Sequence, residues 1–159
     1  MPWDVSALLE PLSVAIHAAR RAALSPSATV LVFGAGAVGL LVAGICKIYG
    51  ASTVIIADVD PGRVKFAVDN GFADGSFIVP IRPRPSSSEA ALQAAKGLAS
   101  EISTCKRQNG VPVGEVDAVF ECTGVPSCLQ TAIYVSLLLP TNDHPLKTVL
   151  SFGYHCFGD

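Results

Sequence analysis

A chain of 159 residues is long enough for one domain with a sizeable core, and 50% hydrophobic against 15% charged residues excludes the disordered classes. A net charge of -2 gives no electrostatic footprint for nucleic acid or an anionic membrane surface. The five cysteines, Cys46, Cys105, Cys122, Cys128 and Cys156, form no C-x-x-C pair, so neither a disulfide framework nor a zinc ribbon is expected and a reducing, cytoplasmic setting follows.

Met1-Pro2-Trp3-Asp4 has no basic flank and no apolar core, so no signal peptide is expected. Leu8 to Ala23 is predicted to be an amphipathic helix with Leu8, Leu12, Ile16, Ala19 and Ala23 on one stripe. Pro11 suits its first turn, and Glu10 and Arg20-Arg21 complement the dipole at its two ends. Ser25-Pro26-Ser27 stops it.

Val30 to Phe33 then reads as a buried strand running into Gly34-Ala35-Gly36-Ala37-Val38-Gly39, and a helix follows from about Ala37 to Tyr49. Gly34 permits a tight turn, Gly36 lets a phosphate approach the backbone, and Gly39 lets the helix sit close to the sheet. The helix N-terminus offers N–H groups and a positive dipole end to a pyrophosphate. Val30 to Ile45 is uncharged and long enough to resemble a membrane segment, but a span in lipid needs one continuous helix, so no membrane is expected as a partner.

Thr53 to Asp58 is the second strand. Asp58 lies about 20 residues past the last glycine, where such folds hold an adenosine ribose through a carboxylate. That carboxylate repels a 2′-phosphate, which favours NAD over NADP; the plainer alternative is a helix cap or a solvated strand end. Asp60-Pro61 is the better cap for the next helix, Pro61 to Asp69, which would free Asp58 for a ligand. Asn70-Gly71 stops that helix, Ser76 to Val79 is a third strand, and Arg82 to Ser88 is a loop. Ser86 and Glu89 have capping-box spacing for a helix running to about Ser100. Lys106 to Gly114 is a loop, Glu115 to Glu121 a fourth strand ended by Cys122-Thr123-Gly124, and Ser127 to Tyr134 a helix. The alternation predicts an α/β, Rossmann-type doubly wound parallel sheet with helices on both faces, and a ligand crevice at the carboxyl ends of its strands. Gly34 to Gly39, Asp58 and Thr123 all fall at such ends.

Glu10-Pro11-Leu12-Ser13-Val14, then V-F-G-A-G-A-V-G, A-D-V-D-P-G-R and E-C-T-G, occur in an order and spacing that closely resemble the medium-chain dehydrogenase/reductase superfamily. Among its branches, the match resembles the zinc-dependent sorbitol, xylitol and arabinitol dehydrogenases, over about Leu8 to Tyr134. The resemblance implies an NAD-binding domain of a polyol dehydrogenase, an oxidoreductase acting on a CH–OH group. Gly34, Gly36, Ala37, Val38 and Gly39 would cradle the pyrophosphate, and Asp58 would hold the ribose. Arg63 would lie against the adenosine end, or be an ordinary exposed helix residue. Thr123 would lie near the nicotinamide side, or be a turn residue. Glu10 would face the catalytic zinc in the intact family; as a helix-start carboxylate it needs no such role. His17 has no partner at i+4 and is expected to serve the helix, not a metal.

The family places a zinc-binding catalytic domain before the E-P-L-S-V helix, and its ligands are not found here. A catalytic zinc typically needs three protein ligands, so NAD is the expected cofactor, zinc belongs to the intact family only, and the chain as given is expected to lack activity alone. The alternative is a non-catalytic dinucleotide-binding or regulatory fragment. The resemblance also implies a polyol substrate for the intact enzyme and homo-oligomer formation through the sheet edge. After Tyr134 the family pattern breaks, so the chain divides into a leading helix at 1–24, an NAD-binding domain at 25–134 and an atypical tail at 135–159. The sheet is expected to be incomplete at its C-terminal edge, and the tail to derive from a translated intron or a shifted frame.

Overall fold

Three apolar runs too short and too β-branched to be helices are buried on both faces, which is the signature of parallel strands covered above and below. The computed structural model describes residues 3–83, 85–105, 110, 112–113, 116–137 and 148–151. The elements are α1 (Trp3–Ala7), α2 (Leu9–Ala22), β1 (Thr29–Phe33), α3 (Ala37–Ile48), β2 (Thr53–Asp58), α4 (Pro61–Asp69), β3 (Gly75–Ile78), α5 (Ser88–Thr104), β4 (Ala118–Glu121), α6 (Pro126–Leu137) and β5 (Thr148–Ser151). The sheet order is β3-β2-β1-β4-β5, all parallel.

Side chains alternate across the sheet, so each strand feeds two cores. Val30, Val32, Val54, Ile56, Ala118 and Phe120 point to one face, where α2, α3 and α4 cover them. Leu31, Phe33, Ile55, Ala57 and Val119 point to the other, under α5 and α6. Each fully buried branched or aromatic side chain contributes about 1.5–3 kcal/mol. The doubly wound expectation therefore holds. Among the described residues the sheet has five strands, ordered β3-β2-β1-β4-β5.

Local details differ from the expectations, each for a physical reason. On α2 the buried stripe is Ala15, Ala18, Ala19 and Ala22, whereas Leu8 is about half exposed and Ala23 is an exposed left-handed cap with φ 46°. Small side chains let α2 approach α3 closely, and the larger ones sit off that seam. Helix α5 begins one residue later than the Ser86 capping box implies: Ser87 is the cap, its Oγ accepting from the Ala90 N–H at 3.1 Å, and the helix runs on to Thr104. β4 is Ala118–Glu121, preceded by Asp117, whose carboxylate accepts from the Thr29 N–H at 2.7 Å; Glu115, where the strand was expected to begin, lies outside the described residues. The expected 106–114 loop lies mostly outside the described residues.

The helix expected to begin over Ser127 to Tyr134 runs from Pro126 to Leu137, with Val135 buried beneath β4 and β5. Thr148–Ser151 then pairs with β4 in the register Ala118↔Thr148 to Glu121↔Ser151. The segment beginning at 135 thus contributes the end of a helix and a strand, and its other residues, 138–147 and 152–159, lie outside the described set. Among the described residues no helix is long and apolar enough to cross a membrane.

Cys46 sits fully buried in the first core on α3, and burial pushes its thiol up to about 12. The folded state keeps the proton while the unfolded chain ionises it, so this contribution to stability is present below the ordinary thiol pKa and is lost as pH rises toward about 12. Denaturation midpoints are expected to fall between about pH 8 and about pH 11, and Cys46→Ala should show a smaller fall than the unsubstituted chain. Equal pH slopes for the two proteins would contradict this assignment.

Candidate functional site

The sheet order reverses between β1 and β4, and an open α/β sheet leaves its crevice at such a point. The register Phe33↔Ala57 and Phe33↔Glu121 brings the carboxyl ends of β2, β1 and β4 level with one another. Three turns therefore meet at one rim: Gly34 to Gly36 after β1, Asp58 to Asp60 after β2, and Cys122 to Gly124 after β4.

Gly34 adopts φ +98°, a conformation that side chains rarely tolerate. Its N–H donates to the Ala57 carbonyl at 2.7 Å, which ties the turn to β2. A Cβ placed on it would stand 3.1 Å from Thr123 Cγ2 and 3.2 Å from the Cys122 carbonyl oxygen, so this turn also packs against the one after β4. At Gly39 a Cβ would fall 1.8 Å from the Gly34 carbonyl oxygen; only glycine lets α3 close onto the turn. Gly36 is different. Its backbone is extended, it caps α3 without any side-chain hydrogen bond, and a Cβ there would meet nothing within 4 Å.

The first intrahelical bond of α3 runs from the Leu40 N–H to the Gly36 carbonyl. The N–H groups of Ala37, Val38 and Gly39 precede it and have no carbonyl a turn back. Ala37 is exposed, Val38 half-buried and Gly39 buried. Open space beside an uncapped helix N-terminus can take an anion.

Asp58 ends β2 and is 9% exposed. Sequence spacing leaves it free, but the structure does not: Oδ2 accepts from the Ala35 N–H at 2.7 Å and Oδ1 from the Asp60 N–H at 3.0 Å. Two oxygens with about four lone-pair sites keep room for two more donors, such as a pair of vicinal hydroxyls. Asp60 is the cap of α4 as expected, its Oδ1 accepting from the Gly62 and Arg63 N–H groups at 2.7 and 3.2 Å. Arg63 points into solvent and pairs loosely with Asp60 at 3.9 Å. Glu10 is exposed in the first turn of α2, on a helix rather than at a strand end, with its carbonyl accepting from Ser13 Oγ at 2.7 Å. His17 is exposed on the same helix.

Thr123 lies at the rim, and its hydroxyl is already engaged. It donates to Glu121 Oε1 and accepts from the Val125 N–H at 3.0 Å. Glu121, which the sequence spacing does not single out, holds the Thr123 hydroxyl from within the E-C-T-G motif. It is only 1% exposed. The available signal was a lone charge closing an otherwise apolar strand, a position where burial is costly unless every oxygen is satisfied. Among the described residues no group of three His, Cys, Asp or Glu side chains is placed to hold a metal ion. Burial pushes the thiols of Cys122 and Cys128 up, so both are held as neutral groups in the neutral pH range.

A five-stranded parallel sheet with a glycine turn at its switch point defines a Rossmann-like α/β unit, and solved structures agree. The chain superposes on 2R,3R-butanediol dehydrogenase from Bacillus subtilis with a TM-score of 0.59 at 27% identity, covering 96% of this chain and 37% of that one. For L-idonate 5-dehydrogenase from Escherichia coli the TM-score is 0.56 at 27% identity, covering 84% and 32%. In sequence it is 35% identical to sorbitol dehydrogenase of Bacillus subtilis over 133 residues, 84% of this chain and 32% of that protein. It is 36% identical to D-xylulose reductase A of Aspergillus niger over 129 residues. No family model matches the sequence. The chain is homologous to a fragment of the medium-chain dehydrogenase/reductase superfamily, and the relatives it matches are sorbitol dehydrogenases and D-xylulose reductases. It spans about a third of the length of these curated relatives.

Two substitutions separate packing from open space. Gly39→Ala should destabilise the fold by at least about 1–3 kcal/mol, because its methyl group overlaps the Gly34 carbonyl. Gly36→Ala should leave stability within about 1 kcal/mol. Chemical denaturation of both variants checks this; equal losses would contradict the geometry.

Proposed function

We propose that this chain binds NAD across the β1–β4 switch point and supplies the cofactor half of a polyol dehydrogenase. One observation carries the reading: an uncapped helix N-terminus opens onto free space at Gly36, with the Asp58 carboxylate tied by hydrogen bond to the adjacent Ala35. The pyrophosphate would lie at the N–H groups of Ala37, Val38 and Gly39. The ribose hydroxyls would donate to the lone pairs that Asp58 has left, with Arg63 near the adenosine end. Thr123 would form part of the wall on the nicotinamide side. When bound, NAD supplies the hydride acceptor; the chain's own part is to bind and orient it.

The acidic rim favours NAD over NADP. Asp58 and Asp60 stand together, and the nearby Arg63 is drawn to Asp60. A 2′-phosphate would meet a buried carboxylate already surrounded by fixed backbone donors.

The zinc chemistry of the resembling enzymes is not routed through the described residues, which hold no metal-binding group. Glu10 is proposed to face the zinc only in an intact enzyme. The resembling enzymes place their zinc ligands in another domain, so in this proposal the chain supplies cofactor binding and polyol oxidation is a property of the whole enzyme. The names of the relatives, sorbitol dehydrogenase and D-xylulose reductase, support a polyol or ketose as the substrate of the whole enzyme.

Thermal shift with each dinucleotide tests the reading. NAD at about 100 times its Kd should stabilise the fold by about 2.7 kcal/mol, and NADP at the same concentration by clearly less. Asp58→Ala should weaken NAD binding by about tenfold or more and shrink the NAD to NADP ratio. A stronger shift with NADP, or none with NAD, would refute it. Incubation of the purified chain with sorbitol, NAD and zinc should produce no measurable NADH. Zinc-dependent turnover would contradict the assignment of a cofactor half alone.

A further inference from the structure

Glu121 closes β4, is 1% exposed, and among the described residues takes its hydrogen bonds from the turn after β4 and from the end of β5. Oε1 accepts from the Thr123 hydroxyl, from the Thr123 N–H at 2.7 Å and from the Gly124 N–H at 3.0 Å. Oε2 accepts from Ser151 Oγ of β5 at 3.0 Å. The turn after β4 is therefore wrapped on one oxygen, and the other oxygen anchors it to the next strand.

The consequence reaches the glycine turn. Fixing Thr123 places its Cγ2 against Gly34, where a Cβ would come within 3.1 Å. The Gly34 carbonyl in turn sets the seat of α3 through Gly39. The carboxylate also commits the Thr123 proton, so toward the crevice that hydroxyl can act only as an acceptor. We propose that Glu121 is a positioning residue that sets the β4 wall of the crevice for the nicotinamide-side half of a dinucleotide, an inference that rests on the dinucleotide reading above. AMP ends on the Asp58 side of the switch point and does not reach this wall. A loss of wall placement therefore weakens NAD and spares AMP.

The experiment is isothermal titration of NAD and of AMP into the unsubstituted chain, Glu121→Ala and Glu121→Gln. Glu121→Ala removes the acceptor that ties Thr123 and Gly124 of the turn to the end of β4, and NAD affinity should fall roughly tenfold while AMP affinity stays within about twofold. Glu121→Gln keeps an oxygen for the Oε1 donors and an amide that Ser151 can face, so it should restore NAD affinity to within about threefold. Should Glu121→Ala fail to fold by circular dichroism, Thr123→Val removes the hydroxyl from the same oxygen, and its expected NAD-selective loss is regained in Thr123→Ser. Equal weakening of NAD and AMP, or no change in either, overturns the positioning role alone. An unsubstituted chain that binds neither nucleotide overturns the dinucleotide reading and this proposal with it.

Discussion

Carboxylates that accept backbone N–H groups tie the strands to their turns at both ends of this sheet, buried at the carboxyl end and more open to solvent at the amino end. A parallel sheet leaves unpaired N–H and carbonyl groups wherever a strand meets a turn, and burying them unpaired costs about 1–3 kcal/mol each. At the amino ends, Asp117 takes the Thr29 N–H at 2.7 Å and Asp74 takes the Val54 N–H at 2.8 Å. Lys47 balances Asp74 at 2.8 Å. At the carboxyl ends, Asp58 takes Ala35 and Asp60, and Glu121 takes Thr123 and Gly124. The two ends use the same device and differ in what surrounds it. The amino end is closed by strand starts and an ion pair. The carboxyl end opens onto an uncapped helix.

That difference gives the fold a site. The three glycines of the turn answer to three separate constraints, a positive φ at Gly34, a backbone contact at Gly39 and empty space at Gly36. Only the last concerns a ligand directly. The first two hold α3 in place, so the N–H groups of Ala37, Val38 and Gly39, proposed above to meet a pyrophosphate, are fixed before anything binds. A preorganised site of this kind avoids an ordering cost on binding.

Much of this was legible in the residues. The apolar runs of β1 and β2, the glycine spacing and the Asp60-Pro61 cap are local signals, and each lies within a residue of its expected place. The errors came where tertiary packing chose between equal local options. Three consecutive serines could each cap α5, and Ser87 was selected by the register that buries Ala95, Ala99 and Ile102. The period put Leu8, Leu12 and Ile16 on the α2 stripe with Ala19 and Ala23, yet the close approach to α3 buries Ala15, Ala18, Ala19 and Ala22. Asp58 looked free because spacing cannot show that the Ala35 N–H, 23 positions away, reaches its Oδ2. Glu121 was hidden for the same reason: its partners lie in a turn and in a strand 30 positions along the chain.

The account centres on one claim, that the rim formed by the ends of β1, β2 and β4 receives a dinucleotide. Backbone amide NMR during titration with NAD tests it most directly. The account predicts that the largest shifts fall on Ala35 to Gly39, on Asp58 to Asp60 and on Thr123 and Gly124, with the amino-end amides of Thr29 and Val54 unmoved. Shifts confined to another surface, or none at saturating NAD, would contradict it.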